Sequence, residues 1–305
     1  MSKISRRDFL KLTTGTALAS LVPGLLRAEA PSTPGPIISV ANGTSSTLVK
    51  AALDALGGIG QFVKAGDMVL VKPNISFAAN AEYGATTNVA IVKQVVQLCL
   101  EAGAERVVIL DYPLQNTELC VAMSGIQEAV VDTGKVSLLM LGKERQFTEI
   151  AVPRGTEIKS VQIAKELQKC NRLINVPVAK SHSASGVSLG LKNLMGLIWD
   201  RSLFHRVNIH QAIADLATVV KPDLTVLDAT RVLASGGPGG PGKTVVLNKV
   251  ICGTDIVAVD SYGVTITPWY NKAFKGSSVK YIVAASRHGL GEIDTAKMTI
   301  KEVKA

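Results

Sequence analysis

Cysteine is scarce in this chain and never grouped: four among 305 residues, at positions 99, 120, 170 and 252. Without a Cys-x-x-Cys pair, a self-contained iron–sulfur cluster and a structural zinc site are excluded, because both need clustered thiolates. Cys99 falls in an apolar helical pattern and Cys252 in an apolar strand pattern, so buried free thiols are expected; one disulfide would suit an oxidising compartment. Aromatic residues make up only 4% of the chain. They are not interleaved with basic residues, and no basic run occurs, which argues against nucleic acid as a partner. Long apolar runs are missing too. The stretch from Leu12 to Leu26 is short and broken by Pro23, so it does not read as a membrane span. Internal repeats and low-complexity tracts are also absent.

What is present begins at the amino terminus. Ser5-Arg6-Arg7-Asp8-Phe9-Leu10-Lys11 precedes the weakly apolar stretch, and Ala28-Glu29-Ala30 closes it. This resembles a twin-arginine export signal over residues 1–30, cleaved after Ala30. The resemblance implies handling by the twin-arginine export machinery, folding before export and a periplasmic location. Residues 31–36 are a Pro/Ser/Thr linker. Residues 37–305 are long enough for a single α/β domain, or for two lobes meeting near residue 150.

Beyond the linker, short β-rich runs alternate with helical ones. Ile37–Ala41, Met68–Val71, Val107–Leu110, Ser137–Leu141, Arg172–Val176, Leu224–Leu227 and Val246–Cys252 read as strands. Ser46–Leu56, Val89–Ala102, Ile126–Val131, Leu189–Trp199, Ile209–Val220, Ile256–Thr265 and Val279–His288 read as helices. A short helix over Ala164–Lys169 and a last strand near Met298–Val303 are also expected. Ala, Val, Ile and Leu dominate, as in strands covered on both sides. The expectation is an α/β fold with a mostly parallel, Rossmann-like sheet, helices on both faces, and Thr148–Val152 as an antiparallel edge strand.

Ligands of such sheets sit beyond the carboxyl ends of the strands. Lys72-Pro73-Asn74, Asp111, Lys180 with His182, and Asp228 all follow predicted strands. The segment Asn175-Val-Pro-Val-Ala-Lys180-Ser-His182-Ser-Ala-Ser-Gly-Val-Ser-Leu-Gly-Leu-Lys192-Asn193 is too rich in cationic and polar groups for a plain turn. If Ser188 caps the following helix, Lys192 and Asn193 lie in its first turn. A lysine is unfavourable there unless an anion sits between it and the helix end. The formal net charge is +9; residues 1–30 carry five basic and two acidic side chains, and the +6 left after subtracting that +3 suits an anionic ligand.

His182, His205 and His210 fall within thirty residues, and with Asp228 or Asp111 they offer a donor set for a transition metal. Gly237-Pro-Gly-Gly-Pro-Gly242-Lys243-Thr244 satisfies the phosphate-loop pattern, yet β-rich sequence follows it and two prolines remove amides. It reads instead as a Gly/Pro flap over the site, with Arg231 or Lys243 reaching in. Thr254 or Asp255 caps a helix, and Asp260 within it needs a partner such as Lys or Arg if buried. His288 reads as a partner for a helix carboxyl end.

Four segments resemble the bacterial and archaeal family named domain of unknown function 362: Val71-Lys-Pro-Asn74; Pro177-Val-Ala-Lys-Ser-His182 with Leu191-Lys-Asn-Leu-Met-Gly196; Pro222-Asp-Leu-Thr-Val-Leu-Asp228; and Asp255-Ile-Val-Ala-Val-Asp260. Some relatives carry ferredoxin-like cysteine clusters, which this chain lacks. The segment His182–Lys192 is similar to one in the nickel-pincer lactate racemases. That likeness implies proton transfer by His182 and a lysine-linked metal cofactor on Lys192, with His205 or His210 as metal ligands. The combined reading is an exported protein that binds a small anionic ligand or a metal-containing cofactor. Lys72, Asn74, Asp111, Lys192, Asn193, Arg231 and Lys243 would bind it, with His182, Lys180 and Asp228 as catalytic groups. The alternatives are a racemase- or isomerase-type enzyme and a non-catalytic accessory protein serving a redox partner.

Overall fold

A computed structural model describes residues 35–44 and 46–305. The twin-arginine motif, the cleavage position and Pro31–Pro34 of the linker lie outside the described residues.

The first half alternates strands and helices: β1 (Ile37–Asn42), α1 (Leu48–Asp54), β2 (Met68–Pro73), α2 (Val89–Glu101), β3 (Arg106–Asp111), α3 (Thr117–Ser124) and β4 (Val136–Met140). Next come β5 (Phe147–Ala151), β6 (Ser160–Ala164), β7 (Arg172–Val176), β8 (Val178–His182), β9 (Gly186–Ser188) and α4 (Gly190–Asn193). The remainder is α5 (Leu203–Arg206), α6 (Ile209–Ala217), β10 (Leu224–Leu233), β11 (Thr244–Gly253), α7 (Ile256–Gly263), α8 (Lys280–Arg287) and β12 (Thr299–Lys304). A ten-stranded sheet runs in the order β12-β1-β11-β10-β7-β2-β3-β4, with β8 and β9 attached beside β10.

The expected α/β architecture with a large, mostly parallel sheet is what forms. β10, β7, β2, β3 and β4 are parallel neighbours. Two members run antiparallel to their neighbours: β11, inside the sheet between β1 and β10, and β9, beside β8. The Thr148–Val152 strand is not an edge of this sheet, because β5 pairs with β6 in a separate two-stranded sheet.

Strand sequences explain the layering. Side chains alternate faces along a strand, and Val69 and Val71 pack into one buried cluster while Leu70 packs into the other. On β3, Val107 and Ile109 face the first cluster, and Val108 and Leu110 the second. Helices α1 and α2 cover the first face, and α4, α6, α7 and α8 cover the second. Full burial of each such aliphatic side chain contributes about 1.5–3 kcal/mol.

Two local expectations are corrected. Lys180 and His182, expected just beyond a strand end, lie within a strand of their own, β8. At Pro177, which has no N–H to donate, the strand breaks, and β8 then continues beside β10 while β9 folds back on it. The helix expected over Leu189–Trp199 is two short pieces, α4 followed by a 3-10 turn at Leu194–Leu197. Ser188 does not cap α4; its N-cap residue is Leu189, and no side chain of that residue caps it.

Candidate functional site

The carboxyl ends of β2 and β3, strand β8 and helix α4 meet around a small hollow. Asn74, Ser76, Phe77, Lys180, His182 and Ser188 line it from the sheet side. Lys192, Asn193, Met195, Gly196 and Arg201 line it from the helix side, with Leu114 and Pro238 at its margin. Its volume is about 50 Å³, whereas one water needs at least about 10–15 Å³. A carboxylate- or phosphate-sized group therefore fits, and the rest of a larger ligand stays outside. A wider groove of about 510 Å³ lies between α1, α2 and β11, but among the described residues Lys93 is the one basic side chain lining it. The buried cation Lys180, with Lys192 and Arg201, lines the smaller hollow.

A continuous hydrogen-bond network builds the floor. Lys72 is 1% exposed, and its Nζ lies 2.7 Å from Asp111 Oδ1. The same Nζ donates to Asn193 Oδ1 at 3.0 Å and to the Pro73 carbonyl at 2.5 Å. Asp111 Oδ2 accepts from the Ile75 amide at 2.6 Å, which ties the β2 loop to β3. Asn193 also accepts from Asn74 Nδ2 at 2.9 Å and donates to Asn175 Oδ1 at 2.8 Å. Asn175 in turn donates to the Gly190 carbonyl at 3.0 Å.

The walls are cationic. Lys180, also 1% exposed, donates to Asn74 Oδ1 at 2.9 Å and to the Ala85 carbonyl at 2.6 Å, and sits 4.6 Å from the Phe77 ring centre. Both acceptors are neutral. Burial, then the charge of Lys192, holds the Lys180 amine well below the usual lysine range. Arg201 donates to the Tyr112 and Pro113 carbonyls at 2.8 and 2.9 Å and lies over the Tyr112 ring. Lys192 lines the hollow with no acceptor for its ammonium among the described residues. Its burial, with Arg201 and Lys72 nearby, pushes its amine down to about 8.

His182 has a fixed role in this setting. Its Nδ1 accepts from the Ala184 and Ser185 amides at 3.1 and 3.3 Å, closing the β8–β9 hairpin. Burial, Lys192 and Lys180 push its imidazole down to about 3, so the ring is neutral near pH 7. With Nδ1 accepting, the neutral ring carries its proton on Nε2. A base at Nε2 would need the other tautomer, which two amides oppose. The ring is thus arranged to donate a hydrogen bond.

Two remote features hold α4 in place. Asp260 of α7 accepts from the amides of Gly190 and Leu191 at 2.7 and 3.0 Å. Its partners are thus the amino end of α4, where a lysine or arginine was expected. Gly196 packs so closely over the ion pair that a side-chain carbon there would strike Asp111 Oδ1 and Lys72 Nζ. On the outer side the Gly/Pro segment does reach the site. Gly237 donates to Ser181 Oγ at 2.9 Å, and Pro238 lines the hollow.

Of the residues singled out from sequence, Lys72, Asn74, Asp111, Lys180, His182, Lys192 and Asn193 come together. Five others do not line the hollow. Asp228 accepts from the Asn88 amide at 2.8 Å and from Thr230 at 2.9 and 2.6 Å, which fixes the start of α2 and the β10 bulge. On β10 it follows Leu224 and Val226 at two-residue spacing, so it shares their face, toward α1 and α2. Arg231 pairs with Val246 in the β10–β11 ladder, and Lys243 donates to Asn271 at 3.3 Å. His210 lines a groove with Gln211, Lys280 and Arg287. His205 is near enough to Lys192 for that charge to lower its imidazole further, after burial. Among the described residues no three His, Cys, Asp or Glu side chains gather as a metal-ligand set. His288 caps α8 and meets Asp215 at 2.9 Å.

Phe77 and Arg201 belong to the site and were not given a role from sequence; Asn175 and Pro238 fall in segments that were, the polar segment after β7 and the Gly/Pro flap, but without a role of their own. Asn175 did leave a signal, being an amide inside an otherwise apolar strand, where burial demands partners. Arg201 left none, because it reaches the site from beyond Trp199.

The chain is similar to a thylakoid-associated protein of Synechocystis sp. (strain ATCC 27184 / PCC 6803 / Kazusa). The two are 26% identical over 222 residues, which cover 70% of this chain and 66% of that protein. The family described as Domain of unknown function (DUF362) matches residues 69–265, a span that includes every residue of the hollow. The chain belongs to the DUF362 family.

Proposed function

We propose that this protein binds a small anionic ligand in the hollow, through a carboxylate- or phosphate-sized group. The observation that carries this is a charge imbalance. Lys180, Lys192 and Arg201 line the hollow, and no carboxylate lines it among the described residues. Asp111 is already engaged by Lys72. Lys180 is buried and Lys192 and Arg201 are partly buried; charge withdrawn from water without a counter-ion is costly, so an anion between these groups, which also restores the protonated lysines, is favoured. Lys192 and Lys180 supply charge, His182 supplies an Nε2–H donor, and Asn193 is held by Lys72 and Asn175. The test is thermal unfolding with phosphate or short carboxylates. The wild-type protein is stabilised by the ligand and Lys192→Ala is not; equal responses in the two would overturn the reading.

Export is part of the same proposal. It rests on the Arg6-Arg7 motif, and the name of the Synechocystis relative agrees with a protein acting at or beyond a membrane. Among the described residues no helix is long and apolar enough to cross a membrane. Replacing Arg6 and Arg7 with lysine should keep the protein in the cytoplasmic fraction of its host; unchanged periplasmic recovery would refute export by this route.

A proton-transfer enzyme with a cofactor linked to Lys192 is the second reading, favoured by the lack of an acceptor for that amine among the described residues. Intact-mass analysis of protein purified from its own host decides it. An adduct missing from Lys192→Ala supports a linked cofactor, and an unmodified wild-type mass removes it.

A further inference from the structure

The hollow holds a head group only, so its mouth decides what the rest of the ligand is. Leu114 stands at that mouth. It lines the hollow beside Lys192 and Arg201, yet is 59% exposed. Its backbone is fixed, since the Leu114 amide donates to the Ser76 carbonyl at 3.0 Å. The neighbouring Gln115 side chain accepts from the Ala78 amide at 2.7 Å, which bolts this segment to the loop carrying Phe77. Helix α3 begins two residues later, capped by Asn116, and exposes Leu119 at 55% and Met123 at 45%. These two are four residues apart and so share one helix face. Eight large apolar side chains are exposed among the described residues, and three of them fall in this stretch of ten. Leu119 and Met123 thus give the helix that follows Leu114 an exposed apolar face, whereas scattered exposed leucines need no explanation. On the inner side, Met195 and Phe77 add apolar wall between the cations.

We infer that the ligand is an anionic amphiphile: a carboxylate or phosphate monoester head in the hollow, with an alkyl tail leaving past Leu114 toward Leu119 and Met123. This rests on the anion reading above and adds the class of ligand. A purely polar anion such as a sugar phosphate would leave Leu114 exposed to water and gain nothing from it. An alkyl chain buries that surface together with its own.

The experiment is calorimetric titration of the full chain with two series, straight-chain carboxylates from acetate to decanoate and the corresponding alkyl phosphates. Affinity should rise roughly threefold or more for every two methylenes added, a partial share of the gain from complete burial. In the double variant Leu119→Ser, Met123→Ser, both side chains being exposed, the rise should flatten for longer chains while the shortest members bind as before. Lys192→Ala should lose both series. Binding that is saturable but independent of chain length would overturn the amphiphile and leave the anion site standing. Binding of no member in either series would overturn both. The series that binds more tightly identifies the head group.

Discussion

Lys72 and Lys192 are cations of one site, but their removal should have opposite consequences. Lys72→Ala leaves Asp111 buried with its cation gone, and breaking a buried pair from one side costs about 3–5 kcal/mol. Urea unfolding should show that loss directly. Lys192 forms no hydrogen bond or ion pair with the described protein groups, so Lys192→Ala should leave ligand-free stability unchanged or slightly raised. A Lys192→Ala protein that unfolds as readily as Lys72→Ala would make the lysine structural. The pH dependence of the free protein follows from the same residue. The folded-state amine is pushed down to about 8 from an ordinary 10.5, so the unfolded chain binds more protons between those values. This group therefore makes the ligand-free fold more stable as pH rises from about 8 toward 10.5. Comparing wild type with Lys192→Ala across that window isolates its share; a flat difference would contradict the shift.

At the scale of elements, α4 carries the argument. Four residues cannot hold a helix by their own propensity. Asp260 caps it from α7 and Asn175 ties down its first carbonyl. Asp260→Ala would leave two buried amides without acceptors, at about 1–3 kcal/mol each. It should also weaken anion binding, although Asp260 does not line the hollow. Retention of full affinity in a folded Asp260→Ala protein would show that α4 needs no cap to present Lys192. Gly196→Ala pushes a carbon into the Lys72–Asp111 pair and should destabilise by about 1–3 kcal/mol, as overpacking does. The apolar pattern over Leu189–Trp199 made this segment legible as helical. Its break was not, because the break follows from the close approach of Gly196 to an ion pair whose members lie on two other strands. Strand β8 was illegible for a similar reason. Lys180 and His182 are polar residues in a buried strand, and only their partners in the finished fold make them tolerable there.

For the molecule as a whole, the alternating strands and helices were legible, and so was the gathering of Lys72, Asp111, Lys180 and Lys192 at one rim. Continuous apolar runs such as Val69–Val71 announce strands buried on both faces, and residues after parallel strands must emerge at the same edge. The order of the strands was not legible, since it depends on which apolar faces match in three dimensions. That gap explains Asp228, which also follows an apolar run but belongs to a strand that continues to Leu233 and turns its carboxylate toward α2. The most direct test of the central claim is titration of the full chain with phosphate and with a short carboxylate at pH 7 and again near pH 9.5. A cationic hollow that depends on Lys192 predicts saturable binding at pH 7, accompanied by proton uptake as pH approaches about 8, and clearly weaker binding at the higher pH. Equal affinity at both pH values, or no binding at either, would contradict it.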